Sequence, residues 1–251
     1  MHRFYEPNAK SDSSHISLTA DESHHAVQVL RVRKGDRISV LNGVGDEFLC
    51  DVEEPSRKSV QLRVVDIERS AAPISSITLI QGIPKGKILE SIIQKATELG
   101  VARVVPLLSE RVITQLDNDS AEDKRDKWQR VAIEACKQCG QRWLPKIDAP
   151  VSTNDFLARD EDFEFAVVGS LQPDARHLKE YFAEFIATNK RVPKTVAAWV
   201  GPEGDLSPAE MEAIKSSGAQ PITFGPLVLR SETAATYALS ILNHELQAVR
   251  P

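Results

Sequence analysis

The sequence predicts a chain in two parts, a small β-barrel or curled sheet followed by an α/β domain with a largely parallel sheet. Two observations carry this. Up to about residue 70, three short β-rich runs follow one another with turn signals between them; from Ile77 onward, apolar strand-like runs alternate with segments of helical spacing. The 251 residues suffice for one or two well-buried domains.

The elements follow in order. "TADESHHAVQVLR" places Thr19 and Glu22 at capping-box spacing, which predicts a short helix. After "RKGD" come the strands "RISVLNG", "EFLCDVE" and "SVQLRVVDIE", separated by the turn signals "NGVGDE" and "EPSRKS". "RSAAPISS" reads as a linker, so the two parts are expected to span 1–70 and 74–251. "ITLIQGI" is then a strand, and "KILESIIQKATELG" a helix with Ile88, Leu89, Ile92, Ile93, Ala96 and Leu99 on one face and Gly100 as its stop. "VARVVPLL" is a strand and "KWQRVAIEACKQCG" a helix. "FEFAVVGS", "TVAAWVG" and "PITFG" are three further strands, with helices "DARHLKEYFAEFIA" and "SPAEMEAIKSSG" between them. Ser207, Pro208 and Glu210 supply the second of these helices with a cap, a first-turn proline and a capping-box acid. A terminal helix, "SETAATYALSILNHELQ", follows.

Bulk properties exclude several classes. No apolar run approaches the roughly 20 residues of a membrane span, and "MHRFYEPNAK" lacks the apolar stretch of a signal peptide, so a cytoplasmic location without membrane attachment is expected. Three cysteines, Cys50, Cys136 and Cys139, make no disulfide framework. A formal charge of -5 argues against general coating of nucleic acid and leaves room for a local basic patch. "GIPKGK" is one spacer short of a P-loop and has Ile88 where Ser or Thr would bind magnesium. "CKQC" lies on an apolar helical stripe and reads as packing; with no zincin pair elsewhere, no metal site is expected.

Two stretches stand out, "VGPEGD" (200–205) and "FGPLVLRSETAA" (224–235). Each lies at the carboxyl end of a predicted strand, where open α/β sheets bind ligands. A glycine turn entering a helix ordinarily favours an anion, but Glu203 and Asp205 would repel one, so a neutral or cationic ligand is expected. The same residues also suit two ordinary turns, with Arg230 and Glu232 as a structural ion pair.

Together with "IIQKATELGV", "EACKQCGQRWLP" and "HHAVQVLRVRKGD", these stretches resemble the ribosomal RNA small-subunit methyltransferase E family of the SPOUT superfamily, over nearly the whole chain. The resemblance implies a PUA-like barrel followed by a methyltransferase domain with a trefoil knot. It further implies bound S-adenosylmethionine, a homodimer, and methylation of N3 of one uridine in the 16S rRNA of the small ribosomal subunit. Carried over by position, it implies that Val200, Gly201, Glu203, Gly204, Gly225, Leu227 and Leu229 line the cofactor pocket, with Ser170 and Leu171 as a third wall. The family pattern has glycine where Asp205 stands, and an arginine one position before Arg142.

Methylating N3 of uracil requires a base, or donors for the anion spread over O2 and O4. Arg230 is the candidate anion stabiliser; Glu203 and Glu232 are candidate bases, beside a water-mediated route. Arg31, Arg33, Lys34 and Arg37, with Lys85 and Lys87, are the candidate RNA contacts. The competing readings are another SPOUT RNA methyltransferase acting on transfer RNA or on ribose, and a non-catalytic RNA-binding protein.

Overall fold

The computed structural model describes residues 1–111 and 120–248. The chain divides into two compact units, one of residues 1–72 with 133–144 and the other of 73–132 with 145–251.

In the first unit, β1 (Arg3–Tyr5), β2 (His15–Ser17), β3 (Arg37–Leu41), β4 (Asp46–Glu54) and β5 (Gln61–Arg69) form one sheet in the order β1-β3-β4-β5-β2. The pairs are antiparallel except β1 with β3. Of the two expected forms this is the curled sheet, with β1 and β2 as its edges, and β4 carries register shifts at Leu49/Cys50 and Val52/Glu54 that sharpen its twist. Strict alternation along β4 sends Phe48, Cys50 and Val52 into a core with Phe4, Ile38 and Leu62. Thr19 caps α1 (Ala20–His24) by accepting the Glu22 N–H, and the chain continues as a π-helical turn over His25–Val29. The two edge strands are three residues each, too short to be read as periodic runs.

The sequence assigns 133–144 to the second part; the structure packs these residues with the first. Lys137, buried, donates to Glu22 and Glu134 at 2.8 Å each. Arg142 reaches Glu47 Oε2 at 3.0 Å, Ser70 Oγ at 3.1 Å and the carboxylate of Glu68. Trp143 lies against Gly45, the Gly45 N–H donates to the Arg142 carbonyl, and the Leu144 N–H donates to the Gly43 carbonyl. Arg142 therefore holds two strands of this unit to the 140s segment. Cys136 is buried as expected of packing, whereas Cys139 is exposed.

The second unit is built on an all-parallel sheet. Its elements are β6 (Ser76–Gly82), α2 (Ile88–Glu98), β7 (Arg103–Leu108), α3 (Ala121–Cys139, whose last turns belong to the first unit), β8 (Lys146–Ile147), β9 (Val151–Ser152), α4 (Thr153–Leu157), β10 (Phe165–Gly169), β11 (Arg176–His177), α5 (Leu178–Asn189), β12 (Thr195–Val200), α6 (Pro208–Ser216), β13 (Gln220–Thr223) and α7 (Ser231–Ala248). The strand order is β11-β13-β10-β12-β6-β7-β8, with β9 also on β7. β6 and β12 are buried almost throughout, as strands covered on both faces must be. Ser207 and Glu210 form the expected capping box of α6, and Glu210 Oε1 also accepts from the Glu110 N–H and the Thr153 hydroxyl. Ala235, Ala238, Leu239 and Leu242 of α7 are buried within this same chain, where α7 packs on α2, β12 and β6.

Burial alone would raise the Glu47 carboxyl, but hydrogen bonds from Ser39, Arg3 and Arg142 outweigh it and hold the group below its ordinary value. A carboxylate whose folded pKa is depressed contributes stability above its ordinary value of 4.5, and that contribution is lost as pH falls through the folded value. Glu47→Gln should therefore lower the urea midpoint of the first unit at pH ~7, and the gap to wild type should narrow as the pH is taken below the ordinary carboxylate value of 4.5. A gap that stays the same size or widens as the pH falls would refute this.

Candidate functional site

Because β10, β12 and β13 are parallel neighbours, their carboxyl ends emerge along one edge of the sheet. The loops that leave them enclose a cavity of about 290 Å³. The β10 end supplies Gly169, Ser170 and Leu171; the β12 end supplies Val200, Gly201, Pro202, Glu203 and Asp205; the segment after β13 supplies Phe224, Gly225, Leu227, Val228, Leu229 and Arg230, with Ser231 and Ala234 from the first turn of α7.

Of the residues expected to hold a ligand, Ser170, Leu171, Val200, Gly201, Glu203, Gly225, Leu227 and Leu229 are brought together here, and Arg230 with them. Gly204 is not on the wall; its carbonyl accepts from Arg111 Nη1 at 3.2 Å. Glu232 sits in the first turn of α7, also off the wall. Arg230 and Glu232 make no ion pair, so the structural pairing considered for them is absent, and Arg230 stands exposed without a carboxylate partner among the described residues. As lining residues the sequence reading missed Gly169, Pro202, Asp205, Phe224, Val228, Ser231 and Ala234, although all but Gly169 lie inside the two stretches it singled out.

Backbone geometry explains the two turns. Asp205 has φ 62°, a left-handed conformation in which glycine is at ease and aspartate is among the better-tolerated alternatives. Its Oδ1 accepts the Leu206 N–H at 2.8 Å, and its own N–H reaches Pro202 O at 3.0 Å. A side chain on Gly82, at the end of β6, would place Cβ 2.5 Å from Pro202 Cδ, so the two backbones approach as closely as they do only because that residue is glycine.

The acidic turn is not a free pair of charges. The Lys85 N–H donates to both carboxylate oxygens of Glu203, at 3.2 and 3.3 Å, which ties the loop after β6 to the turn after β12. Lys85 and Lys87 project from that loop, both exposed. The other candidate RNA contacts lie in the first unit: Arg31, Arg33 and Lys34 are exposed without ion pairs among the described residues, while Arg37 is paired with Asp51 at 3.0 Å. Arg31 has φ 56°. Among the described residues no cluster suits a metal ion, and no helix is long and apolar enough to cross a membrane.

Around the cavity mouth Leu171, Leu227 and Val228 are 62%, 72% and 78% exposed. Phe224 packs edge-on against Tyr237 of α7, ring centroids 5.7 Å apart. The wall thus combines apolar side chains, main-chain groups at turns and one unpaired guanidinium, a lining suited to a flat, largely apolar ligand with a few polar groups.

Comparison with known proteins agrees with this architecture. A family model of the RNA methyltransferase domain matches residues 70–243, and one of the RNA methyltransferase PUA domain matches 18–65. The ribosomal RNA small subunit methyltransferase E of Bacillus subtilis is 32% identical over 239 residues, covering 94% of this chain and 92% of that protein. Its namesake in Aquifex aeolicus is 28% identical over 243 residues, covering 96% and 99%. A Legionella pneumophila protein solved in complex with the bound cofactor SAM superposes with a TM-score of 0.86 at 30% identity, over 96% of each chain. The Neisseria gonorrhoeae ribosomal RNA small subunit methyltransferase E, solved bound to S-adenosyl methionine, gives 0.83 at 25% identity over 97% of each chain.

The clasp between Glu203 and Lys85 yields a direct test. Glu203→Ala should speed amide hydrogen exchange at Lys85 and its neighbours in the loop after β6 by about tenfold or more while leaving the melting temperature nearly unchanged, since the bond is exposed. Exchange at wild-type rate would show that the clasp does not order the loop.

Proposed function

We propose that this chain, which belongs to the ribosomal RNA small subunit methyltransferase E family, methylates N3 of one uridine in the 16S rRNA of the small ribosomal subunit, using S-adenosylmethionine. The observation that carries the reading is the convergence of three strand-end loops on one apolar cavity with Arg230 at its wall.

The residues present fit the cofactor. Gly225 has φ 106°, so a branched residue there would be strained, and a Cβ on Gly201 would meet Asp205 Oδ1 at 3.1 Å. Val200, Gly201, Ser170, Leu171, Gly225, Leu227 and Leu229 would hold the group, the apolar side chains by contact and the turns by main-chain hydrogen bonds. Gly204 takes no part in this assignment. When bound, S-adenosylmethionine supplies an electrophilic methyl on a sulfonium, a cation for which the carboxylates of the turn are a favourable neighbourhood.

The uracil N3–H must be lost before N3 can attack, and the charge then spreads over O2 and O4. Arg230, exposed and unpaired, supplies donors for that anion. Glu203 already accepts the Lys85 N–H with both oxygens, and Glu232 lies off the wall, so we assign the proton to solvent rather than to either carboxylate. Arg31, Arg33 and Lys34 in the first unit, and Lys85 and Lys87 in the second, supply local positive charge for phosphate, which makes RNA binding salt-sensitive despite the net charge of -5. Such a substrate places the protein in the cytoplasm. We further assign the family's knot to the passage of residues 224–230 from β13 across the ends of β10 and β12. Leu227, Val228 and Tyr237, rather than the buried face of α7, are the apolar surface for a homodimer.

Mass spectrometry of rRNA nucleosides from a strain lacking the protein tests the reading: 3-methyluridine should vanish from 16S rRNA and return with the wild-type gene. Loss of a different nucleoside, or of one from transfer RNA, would overturn it. Arg230→Ala should lower kcat by roughly 100-fold or more with little change in cofactor affinity. Raising the pH should restore part of the loss, because more uracil is then already deprotonated. An unchanged kcat, or a defect of equal size at every pH, would remove Arg230 from this role.

A further inference from the structure

We propose that Gln81 is a positioning residue for the transfer reaction: its buried side-chain amide, acting through the Ser231 hydroxyl, sets where Arg230 stands relative to the Gly201 turn. The proposal rests on the methyl transfer assigned above. Gln81 is fully buried near the carboxyl end of β6, in a strand otherwise made of apolar residues, threonine and glycine after its first position. A buried amide is costly unless it is bonded, so its partners indicate what it is there to hold. Its Nε2 donates to Ser231 Oγ at 2.9 Å and to Gly82 O at 2.9 Å, with a longer approach to Val200 O at 3.4 Å. The Ser231 hydroxyl passes the link on, donating to Gly201 O at 2.8 Å.

Three chain segments thus meet at one side chain: the end of β6, the turn after β12, and the start of α7. Arg230 is the residue before Ser231, and its carbonyl accepts the Ala234 N–H at 2.8 Å, so its backbone is fixed at the head of α7 by the same junction. The Arg230 side chain has no ion pair of its own among the described residues, and its aim depends on where that backbone is pinned.

Stability alone does not account for a glutamine here. Its Oε1 is buried with no hydrogen-bond partner, a penalty that an apolar residue of similar size would avoid. What glutamine adds over leucine is direction, because its amide fixes the hydroxyl of Ser231 and orients it toward the Gly201 carbonyl. In a displacement that needs nucleophile, methyl and leaving sulfur in line, a shift of about 1 Å costs on the order of 100-fold in rate.

The test uses Gln81→Leu, Ser231→Ala and the double variant, each checked for wild-type circular dichroism. Amide hydrogen exchange is read at 200–206 and 230–234 in the unliganded protein, and kcat and S-adenosylmethionine affinity are read alongside. Each single variant should raise exchange in both segments together and lower kcat by about 10- to 100-fold, and the double should be no worse than the more damaged single. Gln81→Leu on the Arg230→Ala background should add little further loss. Exchange that rises in one segment only, additive losses in the double, or a folded Gln81→Leu with wild-type exchange would each overturn the proposal. A wild-type protein that binds no S-adenosylmethionine would instead sink the reaction assigned above, and the exchange measurements still decide whether Gln81 joins the two turns.

Discussion

The second unit is governed by where its last helix has to go. The apolar face of α7 is satisfied only against α2, β6 and β12, yet the chain reaches it from β13, which β10 and β12 separate from β6. Residues 224–230 must therefore cross the carboxyl ends of two strands before the helix can begin. That crossing makes the third wall of the cavity, and without it the ends of β10 and β12 would be open turns. Alanine at 235 and 238 lets the helix approach closely enough to complete the burial.

The same constraint explains the density of special backbone at this edge. Gly82 touches Pro202, Asp205 takes a left-handed conformation, and Gly225 lies at φ 106°, all within the few residues that receive the crossing segment. Charge is committed there too. Glu203 binds the loop after β6 and Asp205 closes its own turn, so the two acids that colour the local sequence are largely occupied by main-chain donors. Arg230 is the charge left over at the wall, and a group with no internal partner beside a cavity is where chemistry on a ligand is best sought.

Much of this was legible in the sequence because it is local. Apolar spacing marked α2, the run of β6 and the strand ends at Gly169 and Val200, and Ser207 with Pro208 and Glu210 announced α6 outright. The two loop motifs named most of the wall in advance. What escaped depends on distant partners. β1, β2, β8 and β9, of two or three residues each, have no periodicity to read and exist because a neighbouring strand receives them. Gln81 looked like the end of an apolar strand, and nothing nearby in the chain reveals a hydroxyl 150 residues away. The membership of 133–144 was hidden for the same reason: helical spacing gives the apolar face of α3 and is silent about which body covers it.

That membership has a consequence for how the protein is made. The first unit is not finished when residues 1–72 have been synthesised, because it still lacks the segment that brings Lys137 to Glu22, Arg142 to Glu47 and Glu68, and Trp143 to Gly45. At roughly 5–20 residues per second, translation of the intervening chain leaves it incomplete for several seconds, during which the β6–α2–β7 stretch of its neighbour is already emerging. The two bodies cannot mature in strict succession from the ribosome. A nascent chain halted short of residue 133 would carry Glu22, Glu47 and Glu68 without their cationic partners in the 133–144 segment, a state open to chaperones and proteases that the full-length protein leaves behind.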